Sequence, residues 1–119
     1  MLRLVEPTDI GSTDIGSTNI GDLSDLAEGE LRCFSDVGEH GALVCRVEGE
    51  LHAFADRCSH AAAPLSVGRL RGATISCPLH GATFDVRTGE HKSSPATKGI
   101  VTFAIDANED ETQVWLMPR

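Results

Sequence analysis

Four residues of the sequence have the chemistry of a metal site. Cys58 and His60 form a C-x-H pair, Cys77 and His80 form a C-x2-H pair, and sixteen residues lie between His60 and Cys77. Together they offer two thiolates and two imidazoles, ligand types that suit zinc and iron. Zinc modules with this ligand set usually draw both cysteines from one knuckle and both histidines from a helix at H-x3-5-H spacing. Here each segment supplies one of each. A single tetrahedral ion gains nothing from that arrangement, whereas a two-iron cluster does. With the two loops side by side, the cysteines can hold one iron and the histidines, each further along its loop, the other. On the residues alone, a zinc-stabilised interaction module stays open as the competing reading.

Loops of this kind need a scaffold to hold them at a fixed separation. Short runs of β type follow one another closely: ELRCF, GALVCRV, ELHAF, ATISC, ATFDV, IVTFAI and QVWLM. Seven such runs, separated by Gly- and Asp-rich turns, predict an all-β antiparallel sandwich or small barrel. Residues 57–72 carry no strand alternation and fall where ligand loops would be inserted, so about 55–92 are expected to form a two-loop cluster-binding subdomain. Residues 8–22 read TDIGS-TDIGS-TNIGD, a five-residue repeat that matches neither a helix face nor strand alternation. It is expected to be loop or extended chain, a locally duplicated linker, with residues 1–22 as an N-terminal strand plus repeat extension.

A chain of 119 residues is long enough for one domain, here 1–119, and not for a second catalytic one. No apolar run approaches the roughly 20 residues that span a bilayer, and the N-terminus lacks the pattern of a signal or transit peptide. A cytoplasmic protein without a membrane partner is expected. The net charge of −8 speaks against nucleic acid, because no stripe of Lys and Arg is present to replace phosphate counterions. The charge is uneven, however. Between residues 57 and 92, Arg57, Arg69, Arg71, Arg87 and Lys92 meet only Asp85 and Glu90, a local +3 that leaves −11 for the rest. The paired cysteines and histidines lie in a mildly basic island.

The pattern C-x-H-x16-C-x2-H, with CPLHGATFD around the second pair, resembles the Rieske ferredoxin family. The similarity runs from about residue 23, through DLAEGE and HAFADRCSHAAAPLSVG, to Pro95 and Ala96. The resemblance implies a Rieske-type antiparallel β fold with a small subdomain at one end and one [2Fe-2S] cluster per chain. Cys58 and Cys77 would bind the inner iron, and His60 and His80 the outer iron near solvent. Two ferric ions, two sulfides and two thiolates carry no net charge when the histidines are neutral, so reduction adds one negative charge that the surroundings must offset. Pro64, Leu65, Pro78 and Leu79 flank the ligands, and Gly68 and Gly81 are expected to permit close backbone approach. High-potential members of the family carry a disulfide between the loops, and a serine and a tyrosine that hydrogen-bond the cluster sulfurs. The corresponding positions here are Ala63, Leu79, Ala82 and Phe84. A low-potential centre is therefore implied.

The sequence shows no activated nucleophile, phosphate-cradling glycine loop or second metal site, and no enzyme activity of its own is expected. By the same resemblance the chain is a one-electron carrier, the ferredoxin component of an aromatic-ring-hydroxylating dioxygenase system. It would accept an electron from an NAD(P)H-dependent flavin reductase and pass it to a terminal Rieske non-haem iron oxygenase, docking transiently at the cluster tip as a monomer. The small Rieske subunit of an assimilatory nitrite reductase is the alternative within redox chemistry. Cys33 and Cys45 are expected to be buried structural thiols, His40, His52 and His91 surface or packing residues, and Trp115 a residue packed on the scaffold.

Overall fold

The computed structural model describes residues 17–59, 63–79, 81–92 and 99–119. Among these the regular structure is nearly all β. The strands are β1 (Thr18–Gly21), β2 (Leu31–Phe34), β3 (Ala42–Val47), β4 (Glu50–Ala55), β5 (Arg69–Arg71), β6 (Thr74–Ser76), β7 (Thr83–Asp85), β8 (Thr102–Ala107) and β9 (Val114–Pro118), with one 3-10 turn at Leu65–Val67. Six of them form an antiparallel sheet in the order β1-β9-β8-β4-β3-β2, and β5-β6-β7 form a second antiparallel sheet inserted between β4 and β8. No helix among the described residues is long and apolar enough to cross a membrane.

β3 and β4 are the centre of the molecule. They pair from Ala42↔Ala55 to Val47↔Glu50 and are joined by Glu48 and Gly49, both at positive φ (54° and 81°), the turn geometry that suits a two-residue hairpin. The Glu28 carboxylate accepts both turn N–H groups, at 2.6 and 3.0 Å, and these bonds hold its pKa below the usual value. The run ALVCRV is apolar almost throughout because β3 is buried on both faces. Leu43, Cys45 and Val47 enter one core with Phe54, and Ala42 and Val44 enter a second with Ala53, Phe103 and Leu116. The first core is shared with the inserted segment, through Leu65 of the 3-10 turn, Ile75 and Phe84 of the second sheet and Val86 just after it, and fastens that segment to the scaffold.

Arg46 breaks the apolar run for a reason. Its Nε donates to the Leu26 carbonyl at 2.6 Å and its Nη2 to the Leu23 carbonyl at 3.1 Å. The same Nη2 pairs with Glu111 at 2.8 Å, the Arg46 side chain being only 13% exposed. One guanidinium thus fixes the segment before β2 and the β8–β9 turn to β3. Arg46→Met would take the guanidinium donor from both carbonyls, of which Leu23 keeps only the Leu26 N–H, and remove the cation from Glu111, so a loss of about 2–4 kcal/mol is expected. It would be read as a lower denaturant midpoint at unchanged m-value; a wild-type midpoint would contradict this role.

Two segments differ from the expectation. The third repeat copy is a strand: β1 pairs with β9 at Thr18↔Leu116, Asn19↔Trp115 and Gly21↔Val114, and Ile20 packs against the second core. Asn19 Nδ2 donates to Gln113 Oε1 at 3.0 Å, and Asp22 Oδ1 accepts the Ser24 N–H at 2.9 Å. The first two copies have Asp9 and Asp14 in place of Asn19, which cannot donate, and Ser12 and Ser17 in place of Asp22. All but Ser17 of those copies lies outside the described residues. The second difference is β5, within 57–72. Its alternation is real, with Leu70 packed against the first core and Arg69 and Arg71 outward, but three residues between Gly68 and Gly72 are too few to stand out as a run.

Candidate metal centre

Two loops carry the candidate ligands. The first leaves β4 at Ala55 and ends in the 3-10 turn; the second joins β6 to β7. Their sequences differ, yet both close in the same way. The Cys58 N–H donates to the Ala63 carbonyl at 2.9 Å, and the Cys77 N–H to the Ala82 carbonyl at 2.7 Å. Each cysteine therefore sits at the mouth of a loop of equal span, with its backbone donor already used.

The loops also lie against each other. Gly68, just beyond the 3-10 turn, faces the carbonyl of Ser76, the residue before Cys77, so closely that a Cβ there would overlap the oxygen. Gly81 answers a different need. Nothing lies within 4 Å of where its Cβ would stand, but its φ of +74° favours glycine.

This packing brings Cys58 and Cys77 together. Both are buried in the first core, among Leu65, Ile75, Ala82 and Phe84, and neither is in a disulfide. The Cys77 thiol is within hydrogen-bonding reach of Cys58. Burial pushes its pKa up, while a hydrogen bond from the Leu79 backbone N–H acts in the opposite sense. Two adjacent, unbridged, buried thiols suit a thiolate-bound iron. His60 and His80, like Pro95 and Ala96, lie outside the described residues, and among the described residues no group of three or more ligating side chains assembles.

The positions that distinguish high-potential centres are informative. Ala63, Ala82 and Phe84 are buried and offer no side-chain donor, and Leu79 is exposed. On the outside, Val67 and Leu79 present apolar side chains, one from each loop region. Arg57, Arg69 and Arg71 are exposed, whereas Arg87 is paired with Asp85 at 2.9 Å.

The other singled-out residues serve elsewhere. Cys45 is buried as expected. Cys33 is exposed, contrary to expectation, because it lies on the edge strand β2, where only β3 flanks it. Trp115 is likewise 36% exposed, between Asn19 and Asp106 on the neighbouring strands. His52, opposite Cys45 on β4, is half-buried and its pKa is lowered by burial. His40 lies 3.4 Å from Arg57 through its Nδ1, and His91 bridges Phe84. Asp56 escaped sequence reasoning. It is a buried carboxylate two residues before Cys58 that accepts the Ser66 N–H at 2.7 Å, and its only signal is an acid ending an apolar strand.

Comparison with known proteins agrees with this geometry. The ferredoxin CarAc of Metapseudomonas resinovorans is 40% identical over 91 residues, 76% of this chain and 85% of its own. The ferredoxin component of biphenyl 2,3-dioxygenase from Rhodococcus jostii is 42% identical over 90 residues, 76% of this chain and 83% of its own. Among solved structures, the ferredoxin of carbazole 1,9a-dioxygenase from Nocardioides aromaticivorans IC177 superposes with a TM-score of 0.76 at 28% identity, covering 87% of this chain and 99% of that one. A chain from the complex of reduced oxygenase and oxidized ferredoxin in carbazole 1,9a-dioxygenase gives 0.77 at 34% identity, covering 87% and 94%. The family model described as the Rieske [2Fe-2S] domain matches residues 17–104, and with paired cysteine loops on an antiparallel β scaffold the chain belongs to that family.

Proposed function

We propose that the protein is the ferredoxin component of an aromatic-ring dioxygenase system, a cytoplasmic one-electron carrier between an NAD(P)H-dependent flavin reductase and a terminal Rieske non-haem iron oxygenase. The observation that carries this reading is the pair of buried, unbridged thiols at the mouths of two matched loops. Relatives named as ferredoxin components of biphenyl and naphthalene dioxygenase systems support it, and favour neither the nitrite reductase subunit nor the zinc module. Cys58 and Cys77 would hold the inner iron, and His60 and His80 the outer. When bound, the [2Fe-2S] cluster supplies reversible one-electron redox chemistry.

The chain's own residues set the conditions for that chemistry. Leu65, Ile75 and Phe84 exclude water around the thiols, which makes added negative charge costly. The Leu79 N–H is a donor to Cys77, but Ala82 and Phe84 add none, so the site favours low potential. Ala82→Ser and Phe84→Tyr, which introduce hydroxyl donors, are each expected to raise the midpoint potential by roughly 50–100 mV, the equivalent of one charge-assisted hydrogen bond. No upward shift in either variant would contradict the assignment of these positions.

Docking is expected to be small and transient, and to use the exposed side chains of the two loop regions and β5, namely Val67, Leu79, Arg69 and Arg71. Reversing both charges with Arg69→Glu and Arg71→Glu is expected to slow electron delivery about tenfold at low salt, less at high salt. Unchanged kinetics would remove the basic island from the interface. The function itself is tested by mixing the oxidised protein with NADH and the flavin reductase of a biphenyl dioxygenase system. Bleaching at catalytic amounts of reductase, and reoxidation by the matching terminal oxygenase, are expected; a protein that neither accepts nor passes electrons is not this carrier.

A further inference from the structure

Among the described residues Asp56 is the one buried charged side chain, 9% exposed. Its Oδ1 accepts the Ser66 N–H at 2.7 Å, and its Oδ2 lies 3.8 Å from Cys33 Sγ, a reachable thiol donor. Its own N–H donates to the Gly41 carbonyl at 2.9 Å, which fixes it to the large sheet. Ser66 belongs to the 3-10 turn that ends the first loop, and that turn starts after Pro64, which gives it no side-chain cap. Asp56 caps it instead, from the other end of the loop. The carboxylate therefore joins loop entry to loop exit, with Cys58 held between them.

The choice of a carboxylate calls for a reason. Among the described residues no lysine or arginine pairs with Asp56. The donors it does meet are a neutral amide and a neutral thiol. An asparagine oxygen could accept the Ser66 N–H equally well and would cost less to bury. What the carboxylate adds is a second acceptor oxygen, met by the Cys33 thiol, and negative charge at the base of the ligand loop, where it makes an arriving electron costlier.

We infer that Asp56 is a positioning residue of the cluster site, clamping the loop that presents Cys58 and holding the site's reduction potential down through its charge. The inference rests on the Rieske reading above. The test uses holoprotein of the wild type and of Asp56→Asn, Asp56→Glu and Asp56→Ala, each assayed for iron and sulfide, midpoint potential and bleaching by an iron chelator. Asp56→Asn keeps the acceptor for the Ser66 N–H, gives up the weaker one for the Cys33 thiol and removes the charge, so full loading with an upward shift in potential is expected. Asp56→Glu keeps the charge but displaces the oxygen: wild-type potential with faster bleaching is expected. Asp56→Ala loses the clamp, and bleaching about tenfold faster or more is expected, in line with outer-shell substitutions at metal sites. A wild-type potential in Asp56→Asn, a raised one in Asp56→Glu, or wild-type bleaching in Asp56→Ala would each overturn the inference. Wild-type protein without iron and sulfide would instead overturn the Rieske reading beneath it.

Discussion

Replacing Cys77 with serine is expected to abolish iron and sulfide binding while leaving the β scaffold folded. Serine is nearly isosteric, so the packing among Ile75, Ala82 and Phe84 should survive. Its hydroxyl does not ionise as a thiol does, and an iron that depends on two thiolates would lose half of them. The same substitution at Cys45 is the control. Cys45 is also fully buried, with its pKa pushed up to about 12 by burial, yet it faces His52 and Leu31 rather than another thiol. Cys45→Ser is expected to keep full iron and sulfide and to cost about 1–3 kcal/mol of stability by burying a hydroxyl. Wild-type iron content in Cys77→Ser, or its loss in Cys45→Ser, would contradict the division between ligand and structural thiols.

The second large effect is expected at Gly68. An alanine there would drive its Cβ into the Ser76 carbonyl, with the Leu65 carbonyl oxygen only 3.1 Å away. Both obstacles are backbone, so relief requires β5 to part from β6 where Arg69 pairs with Ser76. A destabilisation of about 3 kcal/mol or more is expected, with faster cluster loss because Ser76 leads directly into Cys77. Gly81→Ala separates crowding from backbone conformation. Its Cβ would meet nothing within 4 Å, and only the φ of +74° opposes it, so about 1 kcal/mol is expected. Similar melting temperatures for wild type and Gly68→Ala would show that the two loops are not held by this contact.

The residue pattern is most legible where chemistry restricts it. Few uses require one cysteine and one histidine from each of two loops, so the ligands stand out by residue type and spacing alone, and the scaffold strands follow from their apolar runs. Legibility fails where a property depends on neighbours distant in the chain. β5 is three residues long and is a strand only because β6 lies beside it. The third repeat copy becomes β1 because Asn19 finds Gln113 and Ile20 finds the second core, partners that its own five residues do not announce. Cys33 and Cys45 look alike in their runs, but β2 is an edge and β3 is central, which leaves one thiol exposed and the other buried. Asp56 carries no motif, and its burial appears only when the 3-10 turn folds back over it.

The central claim is a low-potential Rieske centre built on Cys58, His60, Cys77 and His80. A potentiometric titration of the purified protein followed by EPR tests it most directly. The expected result is a rhombic signal in the reduced protein, with average g below the free-electron value, appearing near the lower end of the roughly −150 to +300 mV Rieske range. The same signal at the upper end would keep the cluster and contradict the low-potential carrier, and a colourless, EPR-silent protein containing zinc would contradict the centre itself.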